Sequence, residues 1–144
     1  MHSWAQIEAE KAFSSAARAR RRASLARRLR GASASCGRLA VHDERTLRPA
    51  PAVAGVGLRE IPLDAISGTL EPNRAAQFDR DFRPAAQART RWQRVWLAEQ
   101  HGMQLPPISV IQVGDTYAIR DGHHRVSVAR ARGALSIDAI VGTA

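Results

Sequence analysis

The spacing of hydrophobic positions divides the chain into a thinly amphipathic front and a well-patterned back. From Trp4 to Arg30 the residues are mainly Ala, Arg, Leu, Ser and Glu with no proline or glycine, and Gly31 follows as a stop signal. One long helix is predicted there. Its apolar stripe is poor: Trp4, Ile7 and Phe13 give way to a stretch where Arg18, Arg20, Arg21, Arg22, Arg27, Arg28 and Arg30 surround only Leu25 and Leu29. Such a helix is expected to project from the core, solvated, and to be removable without unfolding the remainder.

Residues 32–57 carry Gly, Ser and Ala, then Pro49, Pro51, Gly55 and Gly57, with little periodicity, and read as a linker. From Leu58 the segment LREIPLDAI offers a short strand ended by Pro62 and a turn of helix. A polar connection, residues 68–83, follows with Phe78 and Phe82 as expected anchors. Pro84 to His101 reads as an amphipathic helix, with Trp92, Val95 and Trp96 on one face as core and Gly102 at its end. Ile108 to Val113 and Thr116 to Arg120 flank Gly114 and Asp115, a two-residue hairpin signal. After Asp121 and Gly122 the period changes to helix, His123 to Arg132, closed by Gly133; Leu135 to Val141 reads as a last strand. The predicted organisation is a basic helical arm at 1–31, a linker at 32–57, and one small α/β (α+β) domain with a mixed sheet at 58–144.

Charge changes the picture at the front. The chain of 144 residues has 22 Lys+Arg against 13 Asp+Glu, and residues 1–50 hold 11 of those cations against 4 acids. Polyanions are therefore candidate partners, with the arginines from Arg18 to Arg30 as the nucleic-acid contacts. Lys11 is the only lysine, a bias that suits bidentate phosphate binding and a GC-rich genome alike. A single cysteine, Cys36, excludes an intramolecular disulfide framework. No signal-type or membrane-spanning apolar run is visible, so a cytoplasmic protein with no membrane span is expected.

The chemistry concentrates at the strand-to-helix turn. A strand feeding a glycine turn into a helix exposes the first amides of that helix, and their dipole favours an anion. Gly122 lets the backbone approach phosphate, Arg125 brings a fork of donors, and His123 and His124 can donate hydrogen bonds or move protons. Asp121 could hold a ligand hydroxyl or Mg2+, or cap the helix. Two adjacent histidines point in different directions, and no second pair lies at ligand spacing, so no structural metal site is expected.

In its setting after a hairpin, DGHHRVSVARARG resembles the G-E-R-R box of the ParB N-terminal domain, the G-C-H-R box of sulfiredoxin and the D-G-H-x-R box of free-serine kinases. REIPLDAI is similar to the segment that opens those domains. The resemblance spans about Leu58 to Val141. It implies a ParB/sulfiredoxin-like fold with a loop that binds the phosphates of ATP, ADP or CTP with Mg2+, often in nuclease-like or chromosome-partitioning bacterial proteins. Sulfiredoxin's reactive cysteine would fall at His123, so sulfinic acid reduction is not expected. Gly122 and Arg125 match all three boxes.

A phosphotransferase or hydrolase needs a general base. The candidates are Asp121 and His124 in the turn and Glu71, Asp79 and Asp81 in the connection after the first strand, with Arg74, Arg80 and Arg83 as phosphate clamps. Three readings follow: a nucleotide- or polyphosphate-binding protein that transfers or hydrolyses phosphoryl groups, a DNA-associated protein gripping backbone phosphate, and an interaction module whose turn is vestigial.

Overall fold

The computed structural model describes residues 3–47 and 57–142. Helix α1 (Trp4–Leu29) begins at a capping box, in which Ser3 Oγ accepts the Gln6 amide and Gln6 Oε1 accepts the Ser3 amide, each at 3.2 Å. Strand β1 (Ala40–Val41) is followed by β2 (Gly57–Pro62), β3 (Ile66–Thr69), the short helix α2 (Pro72–Ala75) and helix α3 (Arg89–Gln100). The hairpin β4 (Ile108–Val113) and β5 (Thr116–Asp121), helix α4 (His123–Ala131) and strand β6 (Ser136–Gly142) complete the order.

The fold is α/β, with a six-stranded mixed sheet in the order β1-β3-β5-β4-β6-β2. The β4–β5 and β6–β2 pairs are antiparallel, whereas β1–β3, β3–β5 and β4–β6 are parallel. The hairpin, the helix behind it and the last strand stand where their hydrophobic periods place them. Ile61, Ile108, Val110, Ile119, Ala139 and Val141 from the strands join Trp92 and Trp96 from α3 and Val126 and Val128 from α4 in one buried core. Burying side chains of this size removes roughly 1.5–3 kcal/mol of unfavourable hydration each.

Four expectations need correction. Helix α1 does not project from the core. Ala9, Phe13 and Ala17 follow a four-residue spacing along one face and are buried. Phe13, fully buried, meets the Trp92 ring edge-on at 5.5 Å and 76°, and the Arg89 guanidinium lies 4.6 Å over its face. One large ring between two alanines lets the helices approach closely, and a stripe judged by large hydrophobics alone undervalues those alanines.

The stretch expected to be a linker contributes structure where it is described. It forms 3-10 turns at Ala34–Gly37 and Glu44–Thr46, buries Leu39 in the core, and adds β1 to the edge of the sheet. Its proline- and glycine-bearing part, residues 48–56, lies outside the described residues. The polar connection at 68–83 also begins inside a strand: β3 is only four residues long and holds Gly68, where a Cβ would come within 2.8 Å of the Ala40 carbonyl. Close strand approach explains both the glycine and the missing alternation.

Helix α3 starts at Arg89, five residues beyond the proline expected to open it. Pro84 forms a bridge with Phe78 and the Ala85 amide donates to the Gln77 carbonyl at 2.8 Å, which holds that backbone extended. The preceding bend is tightly tied. Phe82 is buried at a φ of 60°, a left-handed conformation uncommon for a bulky residue. A relay holds it there, from Trp92 Nε1 to Ser127 Oγ at 2.9 Å and from Ser127 Oγ to the Phe82 carbonyl at 2.5 Å.

Candidate anion-binding site

Strand β5 delivers the chain to Gly122, whose φ of 118° is left-handed, and α4 starts at the next residue. Close packing and conformation both demand glycine here, because a Cβ would sit 2.7 Å from the Cβ of Ile108. Among the described residues no side chain caps α4, and no acid occupies its first turn, so the amides of His123, His124 and Arg125 retain the positive end of the helix dipole without an intrahelical partner.

These amides open onto a cleft of about 260 Å³ lined by Asp121, Gly122, His123, His124 and Arg125, together with Arg74 from α2 and Arg91, Arg94 and Val95 from α3. Among the described residues no carboxylate lies within ion-pair distance of Arg74, Arg91 or Arg94. Three cations without an ion-pair partner therefore converge on a helix end that is itself positive, beside one exposed carboxylate, Asp121, which is paired with Arg125. Arg91 and Arg94 stand three residues apart on one helix, an arrangement whose mutual repulsion weakens the helix unless an anion intervenes.

The side chains of the turn are largely buried or already engaged. His124 Nε2 is buried without a hydrogen-bond partner, and its ring meets Phe78 edge-on at 5.1 Å. His123 is turned toward β3, with Nε2 2.6 Å from Thr69 Oγ1 and its ring stacked on Phe78 at 6.3 Å. The Thr69 hydroxyl donates to the Ile119 carbonyl at 3.3 Å and accepts the Glu71 amide at 2.9 Å, so its remaining lone pair suits a His123 ring protonated at Nε2. Arg125 is largely spoken for: Nη1 donates to the carbonyls of Pro106 and Pro107 at 2.5 and 3.0 Å, and Nη2 to Asp121 Oδ2 at 3.0 Å. It fastens the first turn of α4 to the Pro106–Pro107 bend, and the unpaired cations of the cleft come from α2 and α3.

No family model and no curated protein matches the chain. Among solved structures it is similar to sulfiredoxin from Arabidopsis thaliana. That likeness covers 60% of this chain and 84% of the other at 25% identity, with a TM-score of 0.39.

Of the acids expected to supply a base, only Asp121 lines the cleft. Glu71 is exposed and faces a separate hollow beside Asp43, Glu44 and Arg120. Asp79 is buried in the 79–83 bend, where its carboxylate accepts the amides of Asp81 and Arg83 at 3.0 and 2.9 Å and pairs with the Arg83 guanidinium at 3.4 Å. Asp81 also pairs with Arg83, at 3.2 Å. Arg80 and Arg83 therefore stand away from the turn, and of the three arginines expected as clamps only Arg74 reaches it. Arg91 and Arg94 were missed because they sit on a helix judged by its tryptophans. The signal was present: arginine at 91 and 94 falls on the solvent side of the Trp92–Trp96 face.

Burial holds both histidines neutral. For His123 it lowers the pKa from 6.5 to about 4, helped by the positive charge of Arg74 and by His124, against a small opposing pull from Asp121. For His124 burial again leads, followed by Arg74 and Arg91, with the same result of about 4. The folded-state values lie below the unfolded value, so between pH 6.5 and about 4 the unfolded chain binds protons that the fold refuses. Stability is then full above about pH 6.5 and is lost as pH falls toward 4, by roughly 3 kcal/mol from His123 alone. Urea melts across that range should show a midpoint that declines with acidity, and a His123→Gln variant that remains folded should show a shallower decline. An unchanged slope in that variant would place the titrating group elsewhere.

Among the described residues no helix is long and apolar enough to cross a membrane, and no cluster of three or more His, Cys, Asp or Glu side chains suits a metal.

Proposed function

We propose that the cleft at the start of α4 binds the phosphate groups of a polyphosphate or nucleotide. The observation that supports this reading is the convergence of Arg74, Arg91 and Arg94, unpaired among the described residues, on an uncapped helix N-terminus. Backbone amides supply directional donors, and guanidinium groups supply charge and bidentate geometry. A mononucleotide exceeds the cleft in size, so its base and sugar would extend past the rim, where the carboxylate of Asp121 is 80% exposed. Mg2+ accompanying the phosphates would find one carboxylate there, in keeping with an ion that takes most of its ligands from phosphate and water.

Phosphoryl transfer or hydrolysis at this cleft would fall to Asp121 and His124, the groups beside the anion able to accept a proton. Arg125 acts in this reading as a positioning residue. Thermal melts in ATP, ADP, CTP, pyrophosphate and tripolyphosphate, with and without Mg2+, test the proposal. A ligand present at a hundred times its Kd should stabilise by about 2.7 kcal/mol, a shift of several degrees. Melting temperatures that stay put in every phosphate compound would remove the proposal.

A further inference from the structure

A second gathering of cations lies away from the cleft. Arg27 and Arg30, from the end of α1, and Arg80, from the bend that carries Phe82, line a groove of about 360 Å³ with Ala23, Ala26 and the paired Asp81 and Arg83. Among the described residues none of the three has a carboxylate partner. Arg80 Nη1 donates only to the Cys36 carbonyl, at 3.3 Å, while the nearby carboxylate of Asp81 is taken by Arg83. The negative end of the α1 dipole offsets part of the repulsion between Arg27 and Arg30. It does not account for Arg80, which arrives from a distant part of the chain.

The docking of α1 extends this charge. With Ala9, Phe13 and Ala17 turned inward, Arg18, Arg21, Arg22 and Arg28 are exposed, and no α1 side chain forms an ion pair among the described residues. From Arg18 to Arg30 the helix advances about 18 Å, a length over which a nucleic-acid duplex presents roughly ten phosphates. Charge spread along that length, with Arg18 and Arg22 on the solvent face and Arg30 beside them, fits a repeating polyanion better than a single small one. We propose that the groove of Arg27, Arg30 and Arg80 seats a backbone phosphodiester of a nucleic acid, with Arg18 and Arg22, on the adjoining solvent face of α1, on flanking phosphates. A membrane surface fits less well, because the exposed Trp4, Leu25 and Leu29 are separated by Lys11, Arg18 and Arg22 and make no continuous apolar stripe.

The test is fluorescence anisotropy of the full chain with labelled duplexes of two unrelated sequences over a series of salt concentrations. Both duplexes should bind alike, with affinity falling steeply as salt rises. Arg30→Gln combined with Arg80→Gln should weaken binding roughly tenfold or more, and should reduce the slope of log affinity against log salt by about 2, since each lost phosphate contact removes about 0.9. The single variant Arg30→Glu, at an exposed cap position, should act in the same direction with its melt intact. Arg59→Glu, an equal charge change on the exposed edge strand β2, should leave the slope as it was. Tripolyphosphate and vesicles rich in anionic lipid are measured beside the duplexes. The proposal is overturned if no duplex binds, if folded Arg30 and Arg80 variants keep the wild-type affinity and slope, if Arg59→Glu matches them, or if those variants weaken only tripolyphosphate or vesicle binding.

Discussion

Replacing Phe13 by alanine is expected to destabilise the protein by about 3–5 kcal/mol, the range for emptying a buried aromatic site. The ring is fully buried and forms the contact of α1 with Trp92, and Arg89 stacks over its other side. Its removal leaves a cavity that the flanking Ala9 and Ala17 are too short to fill. For a domain of this size, with a total stability of the order of 5–15 kcal/mol, such a loss takes a large share of the margin. Urea unfolding followed by tryptophan fluorescence measures it, because Trp92 reports the same contact. Deletion of residues 1–30 should be worse than the point change, since it exposes Trp92 as well. A loss below about 1 kcal/mol in Phe13→Ala would mean that α1 is the detachable arm its thin stripe of large hydrophobics suggests.

The second large effect is on binding. Arg91→Gln with Arg94→Gln should reduce tripolyphosphate or nucleotide affinity by a hundredfold or more, because hydrogen bonds from charged donors contribute about 1.5–3 kcal/mol each. Folding should not suffer. The two guanidinium groups are exposed on α3, have no carboxylate partner among the described residues, and repel one another. The expected result is a lower affinity and a melting temperature equal to the wild type or higher, a combination that general damage to the fold does not produce. Lysine at both positions should recover part of the affinity, as a point charge lacks the planar fork. Isothermal titration beside thermal melts separates these outcomes.

Legibility in the sequence followed the physical origin of each element. The β4–β5 hairpin could be read because two alternating runs enclose a two-residue turn, and Gly114 takes the positive φ of 60° that such a turn requires. The turn at Gly122 could be read because a change of period coincides with a glycine. The role of Phe13 could not, since its importance comes from Trp92, remote in sequence, and from alanines that count for little in a periodicity. Strand β3 was hidden by its length and by Gly68, whose reason lies in the neighbouring β1.

The site was legible in its backbone and illegible in its charges. Anion affinity at a helix start is a local property, so Asp121 to Arg125 marked the place. Which arginines surround it depends on how α2 and α3 pack, and no spacing rule joins Arg74, Arg91 and Arg94 to the turn. Arg125 shows the converse: its place in the turn suggested a ligand contact, and the Pro106 and Pro107 carbonyls, supplied by a distant loop, occupy its donors. Asp79 likewise looked available until its own bend closed over it.

The most direct measurement of the central claim is the titration of the histidine imidazoles by nuclear magnetic resonance, with and without tripolyphosphate. In the free protein His124 should titrate near 4, held down by burial and by Arg74 and Arg91. A bound polyanion offsets those charges, so the His124 pKa should rise on binding. By linkage, affinity should then strengthen as pH falls through the bound-state value. A His124 titration unmoved by saturating tripolyphosphate would contradict the account.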